Sequence, residues 1–195
     1  MTQPRTYQFI LIASLIVFSW LAMMLVHELG HVIGALLTGA EVLRVVWHPL
    51  VFSRTDIGLN PAPLIVVWAG PLIGIQLPTT VAFIMQCFKC PVTYMADFFA
   101  GFCLLANGLY IGLGSFDQIG DAGDMLRLGS PQWVLLAFGL SCVITGLFQW
   151  HRISPTLGLG TSQLAKAIRP RHAYGMVIVA VLLCSIGFLL GDRGL

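Results

Sequence analysis

Five stretches of the chain are apolar enough and long enough to cross a bilayer, and most of the charged positions fall between them. A membrane span needs about 20 mainly apolar residues. The runs are Tyr7–Leu37, Leu64–Met85, Val92–Leu113, Trp133–Trp150 and Ala173–Leu190. Tyr7, Tyr94, Trp133, Trp150 and Tyr174 stand at or near their ends, where amphipathic rings anchor at headgroup level. The first run exceeds what a bilayer requires. As a helix it is about 46 Å long, against about 30 Å of hydrocarbon, so it must tilt, bend or leave the lipid.

The pattern changes after that run. Between Glu41 and Leu59, the residues Val42, Val45, Val46, Trp47, Val51, Phe52 and Ile57 have strand-like composition, broken by His48-Pro49. This predicts a short hairpin or strand pair at the membrane face, with an irregular loop as the competing reading. Asn60-Pro61-Ala62-Pro63 opens the second run, and its Ala69-Gly70-Pro71-Leu72-Ile73-Gly74 segment predicts a kink and close helix approach. Two polar residues lie in the third run. Asp97, near its start, is placed to reach the interface, whereas Asn107 is deep and must face protein or a wet cavity. The segment from Ser115 to Asp124 is dense in acid and glycine, and the stretch from His151 to His172 is basic. No internal repeat or low-complexity tract is present. The expectation is an all-α polytopic membrane protein of about five transmembrane helices, with a short β-hairpin-like segment after the first. Residues 1–195 then form a single membrane-embedded domain.

Composition strengthens that expectation. The chain is 57% hydrophobic and 9% charged, with mean hydropathy +0.89, whereas a soluble domain carries about 25% charged residues. The net charge of +2 is dispersed, and no basic cluster suggests nucleic acid. Cys103, Cys142 and Cys184 fall inside apolar runs, where a thiol behaves as a small hydrophobe. Cys87-Phe88-Lys89-Cys90 has no second pair to complete a four-ligand site, and it reads as structural or incidental. Arg5 followed by an apolar run resembles a secretion signal. The run is too long for that, and no small-x-small cleavage site precedes residue 27, so it reads as a retained first span.

The chemistry sits inside the first run. After Tyr7 to Val26, which carry no charge, comes His27-Glu28-Leu29-Gly30-His31. On a helix, positions i and i+4 share a face one turn apart. Two imidazoles so placed reach one zinc ion, and the Glu between them can serve as general base toward a water there. The competing reading, two core histidines and a Glu in chance alignment, leaves three costly groups at membrane depth unexplained.

A catalytic zinc usually has three protein ligands and one open position. The sequence continues Val32-Ile33-Gly34-Ala35, so no extended motif supplies a third histidine. His48, His151 and His172 lie in or near basic or proline-containing loops and read as surface or interfacial. If every run crosses, the first and third run parallel and end on one membrane side. Asp117, Asp121 and Asp124 are then candidates. A solvated acidic loop competes with that reading, but Gly120 and Gly123 permit the close backbone approach that a site needs.

These residues resemble the site-2 protease family of intramembrane zinc metalloproteases. His27-Glu28-Leu29-Gly30-His31 with Ala35, Gly39, Val42 and Pro49 is similar to that family's first core helix and following turn. Ala69-Gly70-Pro71-Leu72 is similar to its glycine-proline segment, and Asp121-Ala122-Gly123-Asp124-Met125-Leu126 to its aspartate-glycine motif. The resemblance covers a core of 7–127. The helices of 132–195 lie outside it, and no PDZ-like domain is present. It implies a compact zinc-dependent metalloendopeptidase with His27, His31 and Asp121 as ligands, Asp124 as the fallback and Glu28 as catalytic base.

The family's motif normally has Leu before the Asp and Gly after it, where this chain has Gly120 and Ala122. The family's Asn-Pro segment is absent at its usual spacing, and Asn107 is the nearest supporting residue. The implied partners are a transmembrane protein or peptide substrate and the lipid bilayer, in a bacterial-type cell membrane. The strand segment 42–58 would hold the substrate extended. A catalytically degenerate or non-proteolytic zinc-binding membrane protein is the alternative. Lys and Arg counts give a cytosolic N-terminus, with Arg5, Lys89, Arg152, Lys166, Arg169 and Arg171 inside and Arg44, Arg54, Arg127 and Arg193 outside. That puts the zinc near the outer face, whereas the resemblance implies the cytosolic face.

Overall fold

The computed structural model describes residues 5–159 and 168–191, so Lys166 and Arg193 of the charge count lie outside the described residues. In chain order the elements are α1 (Arg5–Thr38), β1 (Val42–Val46), β2 (Arg54–Ile57), α2 (Pro63–Cys87), α3 (Thr93–Asp117), α4 (Gly120–Arg127), α5 (Gln132–Ile153), a 3-10 turn over Ser154–Leu157 and α6 (Pro170–Leu190). The protein is all-α apart from one two-stranded antiparallel sheet after the first helix. Helices α1, α2, α3, α5 and α6 are each long and apolar enough to cross a membrane, as expected of a multi-pass membrane protein. The short helix α4 was not anticipated. Its eight residues are too few for an apolar period to stand out, and it lies in the stretch read as an acid- and glycine-rich segment.

Small residues bring the helices together. A Cβ on Gly30 would stand 2.8 Å from the Cα of Gly70, and one on Gly34 would stand 3.1 Å from the Cα of Val66. Helix α2 therefore lies with its backbone against the motif face of α1. Pro63 occupies the first turn of α2, where its missing N–H costs nothing. Pro71 and Pro78 stand inside the helix, both buried. Between α3 and α5 the same device recurs, because a Cβ on Gly139 would stand 2.8 Å from the Cα of Gly112. Such contacts suit helices in lipid, where close packing replaces the hydrophobic effect as the driving force.

The helices alternate in direction. α1 and α6 begin side by side, with the rings of Tyr7 and Tyr174 edge to face at 5.9 Å. Below them Leu11, Leu15, Phe98, Ile153, Ala173 and Met176 make a dry core. At its other end α6 meets the hairpin. The Trp47 backbone N–H donates to Gly191 O at 3.1 Å, which satisfies a carbonyl at the helix terminus. The Trp47 indole N–H donates to Leu21 O at 3.0 Å. Strands β1 and β2 pair Val42 with Ile57, Val45 with Thr55 and Val46 with Arg54, with an irregularity between Val42 and Arg44. The hairpin thus folds back along α1, toward a residue more than one turn before His27, rather than projecting from the end of the helix.

Asp97, read as reaching the interface, is buried instead. Gln86 donates to its carboxylate at 2.7 Å, Gln149 donates to its backbone carbonyl at 3.0 Å, and Arg152 stands 3.8 Å from the same carboxylate. Asn107 is buried, as its depth required. Cys87 is exposed, Cys90 half-buried, and neither is in a disulfide.

Candidate metal centre

His27, Glu28 and His31 are all buried on one face of α1. Along α2 the level of this face is marked by Gly70, about 10 Å past the first residue, Pro63. A Cβ on Gly70 would overlap the His31 ring and stand 3.0 Å from His27 Nε2. Only glycine leaves room there for both imidazoles. The Ala-Gly-Pro segment, read as a kink and a close approach, is therefore also the bed on which the two rings lie.

The third member arrives from α4. Helix α3 ends at Asp117, Gln118 takes a left-handed conformation at φ 53°, and Gly120 follows at φ 54°. That double reversal turns the chain back over α1 and aims Asp121 at the histidines. His27 Nε2 and Asp121 Oδ2 are 2.8 Å apart, His31 Nε2 and Asp121 Oδ2 3.2 Å, and the two Nε2 atoms 3.1 Å. Among the described residues these three form the group whose ligand atoms converge closely enough to share a metal ion. Bonds of 2.0–2.1 Å to a tetrahedral zinc would separate such donors by about 3.3 Å, so the observed set is a slightly contracted version of that geometry.

The second nitrogens decide what these three atoms need. The Asn107 amide N–H donates to Cys103 O at 2.9 Å, which leaves its Oδ1 facing His27 Nδ1 at 2.7 Å. His31 Nδ1 lies 2.9 Å from Val66 O. Each Nδ1 therefore faces an acceptor and carries the hydrogen. In the neutral imidazole that makes each Nε2 a lone pair. Two lone pairs and a carboxylate oxygen meeting in a buried place repel unless a cation lies among them. Orientation of ligating histidines through the other ring nitrogen is the usual support of a metal site.

Glu28 points away from its helix toward β2, where the Thr55 hydroxyl donates to Oε2 at 2.6 Å. A cleft of about 870 Å³ opens over the group. Trp20, Met23, Met24, Val51 and Phe52 are among its apolar lining residues.

The other sequence candidates lie elsewhere or play other parts. Asp117 ends α3 on the exposed surface. Asp124 lines the cleft but pairs with Arg127. His48 accepts from the backbone N–H of Leu50, His172 bonds the Tyr94 hydroxyl at 2.9 Å, and His151 is exposed near the end of α5. None of these three joins the group. Sequence reasoning missed Thr55 and Tyr110. The Tyr110 hydroxyl accepts from the Asp121 backbone N–H at 3.1 Å, and its ring stands edge-on to His27 at 5.9 Å. Its three-residue offset from Asn107 on α3 puts it on the same helix face, which was the available signal. No family model, no curated protein and no solved structure matches this chain.

Proposed function

We propose that this protein is an intramembrane zinc metalloprotease, hydrolysing peptide bonds in or near transmembrane segments of membrane protein substrates. The observation that carries the reading is the convergence of His27 Nε2, His31 Nε2 and Asp121 Oδ2 within 3.2 Å, beside the buried carboxylate of Glu28. The resemblance of the helix-borne motif to the site-2 protease family supports it, as does the depth of the site along α2.

The donor set, two imidazoles and one carboxylate, is the one that catalytic zinc favours, and it leaves a fourth position open. A zinc ion there would supply a water acidified toward about pH 7 and an electrophile for the scissile carbonyl. His27, His31 and Asp121 would hold it, while Asn107 and the Val66 carbonyl fix the ring orientations. Glu28 takes the proton of the attacking water and passes it to the leaving amine. Thr55 steadies that carboxylate from the hairpin. The β2 strand lines the cleft, and an extended substrate can align along it. The apolar lining suits a segment arriving from lipid.

The test is purified protein in detergent or liposomes with a transmembrane peptide substrate. Stoichiometric zinc with cleavage is expected, and Glu28→Gln should keep the zinc and lose cleavage by about 10²–10⁴-fold. A Glu28→Gln variant that cleaves at the normal rate would overturn the mechanism. Bound zinc with no cleavage of any membrane peptide would favour a non-proteolytic zinc protein, the reading to which the Gly120 and Ala122 departures point.

A further inference from the structure

We propose that Tyr110 is a catalytic residue of this site, whose phenolic O–H donates to the scissile carbonyl oxygen as that oxygen gains negative charge. The inference rests on the hydrolytic reading above. Hydrolysis of an amide passes through a tetrahedral adduct. Water's oxygen bonds the carbon, the carbonyl π electrons move onto oxygen, and Glu28 takes a proton from the water. When the adduct collapses, the C=O bond re-forms, the C–N bond breaks and the nitrogen takes the proton from Glu28. Water has then been added across the bond to give an acid and an amine. A fixed hydrogen-bond donor at the charged oxygen contributes most where water is scarce.

The geometry singles out Tyr110 as that donor. Its oxygen already accepts the Asp121 N–H at 3.1 Å. The phenol is thereby tied to the backbone of a ligand residue, with its own single hydrogen left to give. It lines the cleft and is 39% exposed. Two other donors of the cleft are spent: the Asn107 amide donates to Cys103 O, and the Thr55 hydroxyl donates to Glu28.

The position before Asp121 is built around this phenol. A Cβ at residue 120 would overlap the Tyr110 hydroxyl, so Gly120 is required both by its φ of +54° and by the ring that docks on it. The phenol acts by donation alone and keeps its proton.

The experiment compares zinc-loaded wild type, Tyr110→Phe and Glu28→Gln for zinc content, kcat and KM on a transmembrane peptide. It also measures affinity for a phosphinic peptide, whose tetrahedral oxygens mimic the adduct. Tyr110→Phe should lower kcat by about 10²–10³-fold with KM nearly unchanged, and should weaken the phosphinic peptide by a similar factor while zinc stays stoichiometric. A normal kcat in Tyr110→Phe, with Glu28→Gln inactive, overturns this inference and leaves the protease reading intact. A Glu28→Gln variant that cleaves normally overturns both. Zinc loss in Tyr110→Phe makes the phenol a support for Asp121 and overturns the catalytic role. If Tyr110→Phe does not fold, 3,5-difluorotyrosine at position 110 preserves the shape with a more acidic phenol. As a stronger donor it must then change the affinity for the phosphinic peptide while zinc stays stoichiometric, and an unchanged affinity overturns the proposal.

Discussion

Two buried aspartate-centred clusters occupy this helix bundle, and they are opposites. At Asp97 the charged group is surrounded by donors, with amide N–H groups from Gln86 and Gln149 and the Arg152 guanidinium arriving from two other helices. At Asp121 the carboxylate meets two imidazole nitrogens whose hydrogens are held on the far side of each ring. The first cluster pairs a carboxylate with donors and a cation from neighbouring helices. With the hydrogens on the two Nδ1 atoms, the second is a set of acceptors facing one another, an arrangement that could hold a metal ion. A buried polar residue is therefore not by itself a functional sign. The balance of donors and acceptors around it separates a helix staple from a binding site.

Removing Asp121 tests that contrast most severely. Asp121→Ala should abolish stoichiometric zinc and cleavage together, read by metal analysis and a peptide assay, because two ligands are too few for a catalytic zinc. Glu28→Gln should divide the two readouts, with zinc kept and cleavage lost, since Glu28 is not among the converging atoms.

Weaker effects come from the groups that orient rather than bind. Asn107→Leu leaves the Nδ1–H of His27 without its acceptor, and it should lower zinc affinity by about 10–100-fold, measured by competition with a chelator. At the opposite cluster, Asp97→Asn keeps an acceptor for Gln86 and loses only the attraction to a half-exposed Arg152. It should retain full zinc and cleavage and cost at most about 1 kcal/mol in stability by thermal unfolding in detergent. A loss of zinc in Asp97→Asn, or its retention in Asp121→Ala, would erase the distinction between the two clusters.

Much of this molecule was legible along the chain because lipid imposes simple rules. Apolar length marked the five spans, and each expected run coincides with an observed helix whose ends differ by a few residues. The hairpin followed from β-branched residues broken by His48-Pro49. The ends of the spans were less legible. Helix α3 runs four residues beyond Leu113, to Asp117, because no proline interrupts it before Gln118 turns left-handed. Asp97 was misplaced because its partners, Gln86 and Gln149, lie on neighbouring helices, and a lone carboxylate near a span end looks like one that reaches water. Tyr110 was overlooked because its partner, the Asp121 backbone N–H, is supplied by a separate helix, α4.

What the sequence by itself determined was the half of the centre that lies on one helix. The spacing of His27, Glu28 and His31 needs only the 3.6-residue turn to set the two rings side by side. It also determined that the group lies inside an apolar run, where such residues are costly without a purpose. The motif resemblance favoured Asp121 over Asp124, but only the tertiary structure shows which of Asp117, Asp121 and Asp124 meets the histidines. Three carboxylates in eight residues share one local context, and the choice among them depends on the reversal at Gln118 and Gly120 that aims one side chain at a helix 90 residues earlier. The tautomers of the two histidines were likewise decided in three dimensions. Their acceptors are Asn107 on α3 and a backbone carbonyl on α2, and no local pattern records which way a ring nitrogen faces.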